Sequence, residues 1–318
     1  MSELPEVKSP VVAAIEAAWA ARNEDRRTYL GASILGRECE RQLFYDFRWA
    51  HAPERFEGRM LRLFATGQLE ERRVIDDLLA IGAVVAEIDP ATGDQWAVRF
   101  ANGHGGGHAD GRVTNVPGAE KTEHLLEVKS HNEKSFKALK KDGVEKSKPV
   151  HYAQMQVYMH GLGLTRALYV AVNKNDDELH AERIHYDGAA ALKLIAKAER
   201  IVSAERAPTK LFDNPEEKMA WPCRYCPAIG VCHQGEFAER NCRTCLSSTP
   251  IDGGKWRCER HGKELTVEEQ KAGCGSHRYL PSLVPGEQVM ASGSGFDVTA
   301  VTYRLATGAE WSDVGAAA

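Results

Sequence analysis

Three charged residues carry the first chemical signal: Asp110 in GHADG, and Glu127 and Lys129 in LLEVK. The run around Glu127 reads as a strand. Glu127 and Lys129 therefore project to one face, and Leu126 and Val128 to the other. A carboxylate and an ammonium on a buried strand face are costly unless they are paired or bound to a metal. Asn115, Val116, Pro117 and Gly118 centre a turn, and a hairpin through it sets Asp110 alongside Glu127. Two carboxylates with the backbone carbonyl of Val128 suit a hard divalent cation, Mg²⁺ or Mn²⁺. A lysine beside them can orient or activate the water that attacks a phosphodiester. The plain alternative is an ordinary cross-strand ion pair.

Other residues fall around this set at helical spacings. Gln154 and Tyr158 stand at i and i+4 on one helix face. Gly67 is followed four residues later by Glu71. Lys134, Lys137 and Lys141 form a stripe that suits a phosphate backbone, or only a solvated helix face. The glycines at 105–107 are no phosphate cradle, because no Gly-Lys-Ser/Thr follows and no helix begins there.

The eight cysteines divide into four and four. Cys223, Cys226 and Cys232 lie in WPCRYCPAIGVC, and Cys39 lies far upstream in GRECERQLFY. Four thiolates suit an iron–sulfur cluster and equally suit zinc. Cys242 and Cys245 in NCRTC, with Cys258 after twelve intervening residues, have a zinc-ribbon spacing, and Cys274 in GCGSH completes four. His261 and His277 are possible substitutes in that zinc set, and surface thiols are the alternative.

These groups need a scaffold, and the sequence describes one. Helices are expected at 10–23, with Ser9 as cap and Pro10 in the first turn, then at 38–49 and 55–82. The period then shortens towards two, and 84–88, 95–101, 107–113 and 124–130 read as successive strands. A lysine-rich helix is expected at 132–141 and another at 150–161. Strands follow at 166–174 and 179–187, and a helix at 188–205. After Pro208 the chain turns cysteine-rich, and a last hairpin is expected at 297–313 around Thr307-Gly308. The composition is globular, 43% apolar and 27% charged. The net charge of −4 excludes a global polyanion binder, so contact with nucleic acid must come from a local patch. No apolar run reaches about 18 residues. The start, MSELPEVKSP, reads as no signal peptide, so cytoplasmic residence and no membrane partner are expected.

The order Gly67-x3-Glu71, GHADG, LLEVK, Gln154-x3-Tyr158 resembles the PD-(D/E)XK nuclease superfamily. Within it, the chain is similar to the RecB-like branch that includes CRISPR-associated iron–sulfur nucleases and phage-encoded relatives. The resemblance covers about residues 31–235. It implies an α/β, restriction-endonuclease-like core, a mixed central sheet flanked by helices. Asp110, Glu127 and the Val128 carbonyl would ligate the Mg²⁺ or Mn²⁺, with Lys129 as catalytic lysine. Gln154 would contact the scissile region and Tyr158 would sit near DNA. Glu71 stands where this branch often has histidine; it would be an upstream oxygen ligand, with Glu70 as the alternative. The split pattern of Cys39, Cys223, Cys226 and Cys232, with Arg41 and Tyr45 after the first, resembles the family's iron–sulfur clasp and implies a 4Fe–4S cluster. Residues 1–235 would be the nuclease domain and 236–318 a zinc-ribbon-like module with its hairpin. The implied function is a metal-dependent DNA exonuclease acting in recombination, repair or replication, with DNA and a recombination or replication protein as partners. A phage origin would put it in the host cytoplasm. The alternatives are a structure-specific endonuclease and a non-catalytic DNA-binding scaffold.

Overall fold

A computed structural model describes residues 9–315. Helix α1 spans Pro10–Ala20 with proline in its first turn, and Ser9 makes no side-chain cap. A two-residue strand β1, Leu30–Gly31, and a short helix α2, Ala32–Leu35, follow. In α3, Glu40–Arg48, the Cys39 thiol caps the first turn by accepting from the Gln42 N–H. The long α4, Gly58–Ala80, crosses α1 so closely that a Cβ at Gly58 would lie 1.9 Å from the Glu16 carbonyl oxygen.

Seven strands and three helices then build the centre. They are β2 (Val84–Ala86), β3 (Ala97–Phe100), β4 (Gly105–His108), β5 (Gly111–Thr114) and β6 (His124–His131). After them come α5 (Glu133–Ser147), α6 (Pro149–Leu162), β7 (Arg166–Asn173), β8 (Leu179–His185) and α7 (Gly188–Ser203). Five strands form one sheet in the order β2-β5-β6-β7-β8, mixed because β6 and β7 run parallel while the other pairs are antiparallel. The parallel pair needs a crossover, and α5 and α6 supply it. Leu126, Val128, Leu168 and Val170 pack under Val74, Ile75 and Leu78 of α4. Leu125 and Tyr169 face the other way, towards Met155 and Val157 of α6 and Ile201 of α7. The mixed α/β architecture follows from these two buried layers.

One expectation needs correction. The stretch 107–113 is not one strand. It divides at Ala109-Asp110, because β4 joins a separate small sheet, β1-β4-β3, while β5 enters the main sheet. The glycines of β4 answer to close packing: a Cβ at Gly107 would lie 2.4 Å from the Tyr158 hydroxyl and one at Gly105 2.1 Å from the Phe100 ring.

Beyond α7 come α8 (Trp221–Arg224), α9 (Ile229–His233), β9 (Ser248–Ile251), β10 (Lys255–Cys258), β11 (Lys263–Leu265) and α10 (Val267–Ala272). The chain closes with β12 (Gly286–Ser292), β13 (Ala300–Leu305) and β14 (Glu310–Asp313). The hairpin around Thr307-Gly308 is β13–β14, and β12, not anticipated, completes its three-stranded sheet. This C-terminal part shares the core of the rest: Trp256, Tyr279 and Tyr303 belong to one buried cluster with Phe44 and Phe47. The buried guanidinium of Arg243 ties the two together, donating to the carbonyls of Phe47 at 3.1 Å and Thr28 at 2.9 Å. Among the described residues, no helix is long and apolar enough to cross a membrane.

Candidate active site

The site forms where the main sheet comes open. β5 pairs with β6 only as far as Gly111 opposite Leu126. Past that point the edge of β6 has lost its partner strand, and an unpaired, buried N–H is costly. Asp110 meets the need, for its Oδ2 accepts from the Val128 N–H at 2.9 Å. The carboxylate is thus held opposite Glu127 by the register of the ladder.

Glu127 is fully buried, while the Asp110 and Lys129 side chains are 17% and 29% exposed. The Lys129 ammonium forms an ion pair with Glu127, lies 3.9 Å from Asp110 Oδ2 and donates to the Val128 carbonyl at 3.1 Å. Gln154 Nε2 on α6 reaches Glu127 Oε2 at 3.4 Å. Tyr158, one turn further, is buried against β4. Of the two candidate carboxylates on α4, Glu70 pairs with Arg73 at 3.5 Å, whereas Glu71 feels the charges of Asp110 and Lys129.

The electrostatics follow from crowding like charges in a dry place. Burial, and then the Asp110 charge, push Glu71 up to about 7, against the pull of Lys129. Burial also pushes Glu127 up to about 7; Lys129 opposes this and Asp110 adds to it. Burial disfavours the charge on Lys129, but Glu127 and Asp110 outweigh it and hold the ammonium well above the usual lysine range. Lys129 is therefore a fixed cation that orients and stabilises, not a base.

A stability prediction arises here. The folded protein holds Glu71 at about 7, above its usual 4.5. The proton that this carboxyl keeps on folding favours the folded state fully below pH 4.5, and the benefit is lost as pH rises through 7. In metal-free buffer Glu71→Gln should match wild type near pH 5 and exceed it at pH 8, by about 1 kcal/mol after solvent screening of this half-buried carboxyl. Thermal melts at the two pH values check this, and equal differences at both would refute it.

A polar network on the same face carries no obvious motif. His131 follows Lys129 by two residues and so shares its strand face. Its two ring nitrogens contact Ser135 Oγ at 3.0 Å and the Tyr169 hydroxyl at 2.8 Å, and His151 Nδ1 of α6 contacts that hydroxyl at 2.8 Å. Burial, with help from Lys148 and Lys129, presses His131 down to about 4. Burial and Lys129 press His151 to about 3. The alternation Glu127, Lys129, His131 was the signal that could have found it. The lysine helix is partly neutralised: Lys137 pairs with Glu133 at 2.5 Å, Lys146 with Asp142 at 3.2 Å, and Lys140 with Glu178. Among the described residues, Lys134 and Lys141 are left without a carboxylate partner.

Both cysteine sets come together in space. Cys39 at the start of α3 stands near Cys223 of α8 and Cys232 of α9, and burial followed by these neighbouring thiols pushes Cys223 up. Burial pushes Cys226 up to about 11, with Asp46, Cys39 and Cys232 adding to it. Cys242, Cys245, Cys258, Cys274, His261 and His277 line one cavity of 10 Å³. Burial pushes Cys242 up to about 12, and Cys245, Cys274 and Cys258 add to it. Thiols that hold each other protonated in this way suit a cation that would release their protons. His277 is otherwise engaged, its two nitrogens contacting Arg240 at 3.2 Å and Thr244 at 3.1 Å. His261 lies 3.8 Å from the Cys274 sulfur. As they stand, no three His, Cys, Asp or Glu side chains among the described residues close into a metal-holding group.

The donor set beside Lys129 fits a hard divalent cation in chemistry. Three carboxylates, Glu71, Asp110 and Glu127, approach from three elements, and the buried Glu127 Oε1, though ion-paired with Lys129, accepts no hydrogen bond of ordinary geometry. No protein-family model and no curated protein matches the chain. It is similar to an alkaline exonuclease, LHK-Exo, from Laribacter hongkongensis: 18% identity over 58% of this chain and 90% of that one, TM-score 0.40. The structure of LHK-Exo in complex with dAMP aligns at 20% identity over 58% and 90%, TM-score 0.39. SSO0001 aligns at 13% identity over 71% and 97%, TM-score 0.40. At such scores the residue geometry, and not the likeness, must carry a functional reading.

Proposed function

We propose that this protein is a metal-dependent deoxyribonuclease of PD-(D/E)XK type, acting as an exonuclease in DNA recombination, repair or replication. The observation that carries the reading is the convergence of Asp110, Glu127 and Glu71 around the held ammonium of Lys129, at the point where the sheet edge opens. A scaffold that only bound DNA would gain nothing from burying this cluster, and its desolvation is costly. Asp110, Glu127 and the Val128 carbonyl would hold Mg²⁺ or Mn²⁺, with Glu71 as further oxygen donor. When bound, that ion supplies Lewis-acid stabilisation of charge on the scissile phosphate. Lys129 donates to the attacking water and to a non-bridging phosphate oxygen. Gln154 fixes the Glu127 carboxylate through its amide. Cys39, Cys223, Cys226 and Cys232 would hold a 4Fe–4S cluster, and Cys242, Cys245, Cys258 and Cys274 a zinc ion, with His261 rather than His277 as the available substitute.

Purified protein incubated with Mg²⁺ or Mn²⁺ and end-labelled linear and circular DNA, single- and double-stranded, tests the activity. Mononucleotide release from linear DNA alone supports the exonuclease; cutting of circles assigns an endonuclease, and no cleavage with either ion rejects the reading. Unpaired lysines give a second expectation. Charge reversal at Lys134 and Lys141 should weaken DNA binding whatever the sequence and lower the slope of log affinity against log salt by about two. A slope that does not move would make the stripe a solvated face.

A further inference from the structure

A cleft of 720 Å³ lies between α1, the segments 22–37 and 46–56 and the first half of α4. Nothing in the proposed chemistry uses it. Its walls combine aromatic rings and guanidinium groups: Trp19, Tyr29 and Phe64 with Arg22 and Arg27. Arg22 lies over the Trp19 ring at 4.2 Å, and Arg99 over Tyr29 at 5.3 Å. Phe64 is 45% exposed, with one edge against Phe56. Four carboxylates also line the cleft: Asp25 is taken by Lys271 at 2.5 Å and Asp46 by His51 at 2.8 Å, while Glu24 and Glu54 stand among the four arginines Arg22, Arg26, Arg27 and Arg37. Among the described residues Arg22 and Arg27 have no carboxylate partner. Between residues 22 and 62 the chain has no lysine, and between 113 and 165 it has no arginine. Arginine's planar, weakly hydrated head stacks on π-faces, whereas lysine serves phosphates as a point charge. The two regions are thus chemically sorted, and the cleft has the groups that bind bases.

The cleft also leads somewhere. Phe64, Gln68 and Glu71 stand at i, i+4 and i+7 on one face of α4. Phe64 and Gln68 line the cleft, and Glu71 belongs to the carboxylate cluster. About 10 Å of helix separates Phe64 from Glu71.

We propose that this cleft binds an unpaired DNA strand, its bases stacked on Trp19, Tyr29 and Phe64 between the arginines, and directs that strand along α4 to the carboxylates. This rests on the nuclease reading and gives it a substrate form, a single-stranded end. Duplex DNA hides the π-faces that the cleft offers to fill, and a strand of unpaired bases exposes them.

Binding in EDTA separates this from catalysis. Fluorescence anisotropy with a labelled dT 12-mer, an abasic 12-mer of equal charge and a blunt duplex should show the dT strand bound at least tenfold more tightly than the other two. Phe64→Ala and Arg22→Ala, both at exposed positions and checked by thermal melt, should each weaken dT binding by roughly tenfold and leave abasic binding unchanged. Equal affinity for dT and abasic strands, or variants that bind dT as wild type does, would overturn the proposal and leave the cleft to a protein partner. If those results come with cleavage by the wild-type protein in Mg²⁺, the nuclease reading survives alone. If the cleft binds dT as expected and nothing is cut, the cleft survives and the catalytic reading falls.

Discussion

Lys129→Ala should lower DNA cleavage in Mg²⁺ by about a hundredfold or more and leave DNA binding near wild type. The reason is positional. The ammonium is clamped by Glu127 and Asp110 at the open end of β6, so its charge is in place before the phosphate arrives. Such preorganisation is what a developing negative charge rewards. The same substitution has a second consequence. It strips the cation from the fully buried Glu127, and a buried charge left alone costs about 3–5 kcal/mol. Glu127 can escape by keeping its proton, since burial already holds it at about 7. The raised carboxyl favours the fold while protonated, so the variant should melt close to wild type near pH 6 and increasingly below it as pH rises past 7. Asp110→Asn is the companion: its amide oxygen can still accept from the Val128 N–H, so cleavage should fall without comparable loss of stability. Cleavage rates, binding and melts at pH 6 and pH 8.5 check all of this. Wild-type cleavage by Lys129→Ala would mean the site has been misassigned.

Cys39→Ala should remove iron and much of the stability together. Cys39 caps α3, while Cys223 lies on α8, Cys232 on α9 and Cys226 between them. A cluster bonded to all four closes a chain loop that contains the whole central sheet. By analogy with a disulfide, such closure constrains the unfolded chain by on the order of 4–5 kcal/mol. Anaerobically purified protein should be brown and contain about four irons per chain, and Cys39→Ala should be colourless. Its activity should fall because the helices around the site lose their anchor, with Asp110 and Glu127 chemically untouched. Cys258→Ala should keep the iron and lose zinc, because Cys258 lines the separate C-terminal cavity. Two zincs and no iron in the wild-type protein would remove the cluster while leaving the nuclease proposal intact.

The sequence by itself determined what local periodicity can carry. Alternation put Glu127 and Lys129 on one face and Leu126 and Val128 on the other. The turn at 115–118 brought Asp110 back towards β6, while the pairing of Val113 with His124 across a longer loop set it opposite Glu127, and helix spacing put Gln154 and Tyr158 on one side of α6. Cysteine spacing announced two sets of four, and both sets gather. The strand and helix faces depend on neighbours within a few residues, where backbone geometry alone decides direction.

Tertiary structure decided the rest, because it depends on which surfaces meet. Residues 107–113 alternate like one strand, yet β4 leaves for a second sheet, and that departure opens the edge of β6 that Asp110 fills. Glu70 and Glu71 are indistinguishable in sequence; the rotation of α4 against the sheet turns one to Arg73 and the other to Asp110. Helical spacing suggested that Lys134, Lys137 and Lys141 act as one stripe, but Glu133 on the same helix takes Lys137. The His131–Tyr169–His151 network joins two strands and a helix distant in sequence. The cleft beside α4 exists only because α1 packs across it at Gly58. Long-range packing of this kind is paid for by burial summed over the whole core, and no window of the sequence contains that sum.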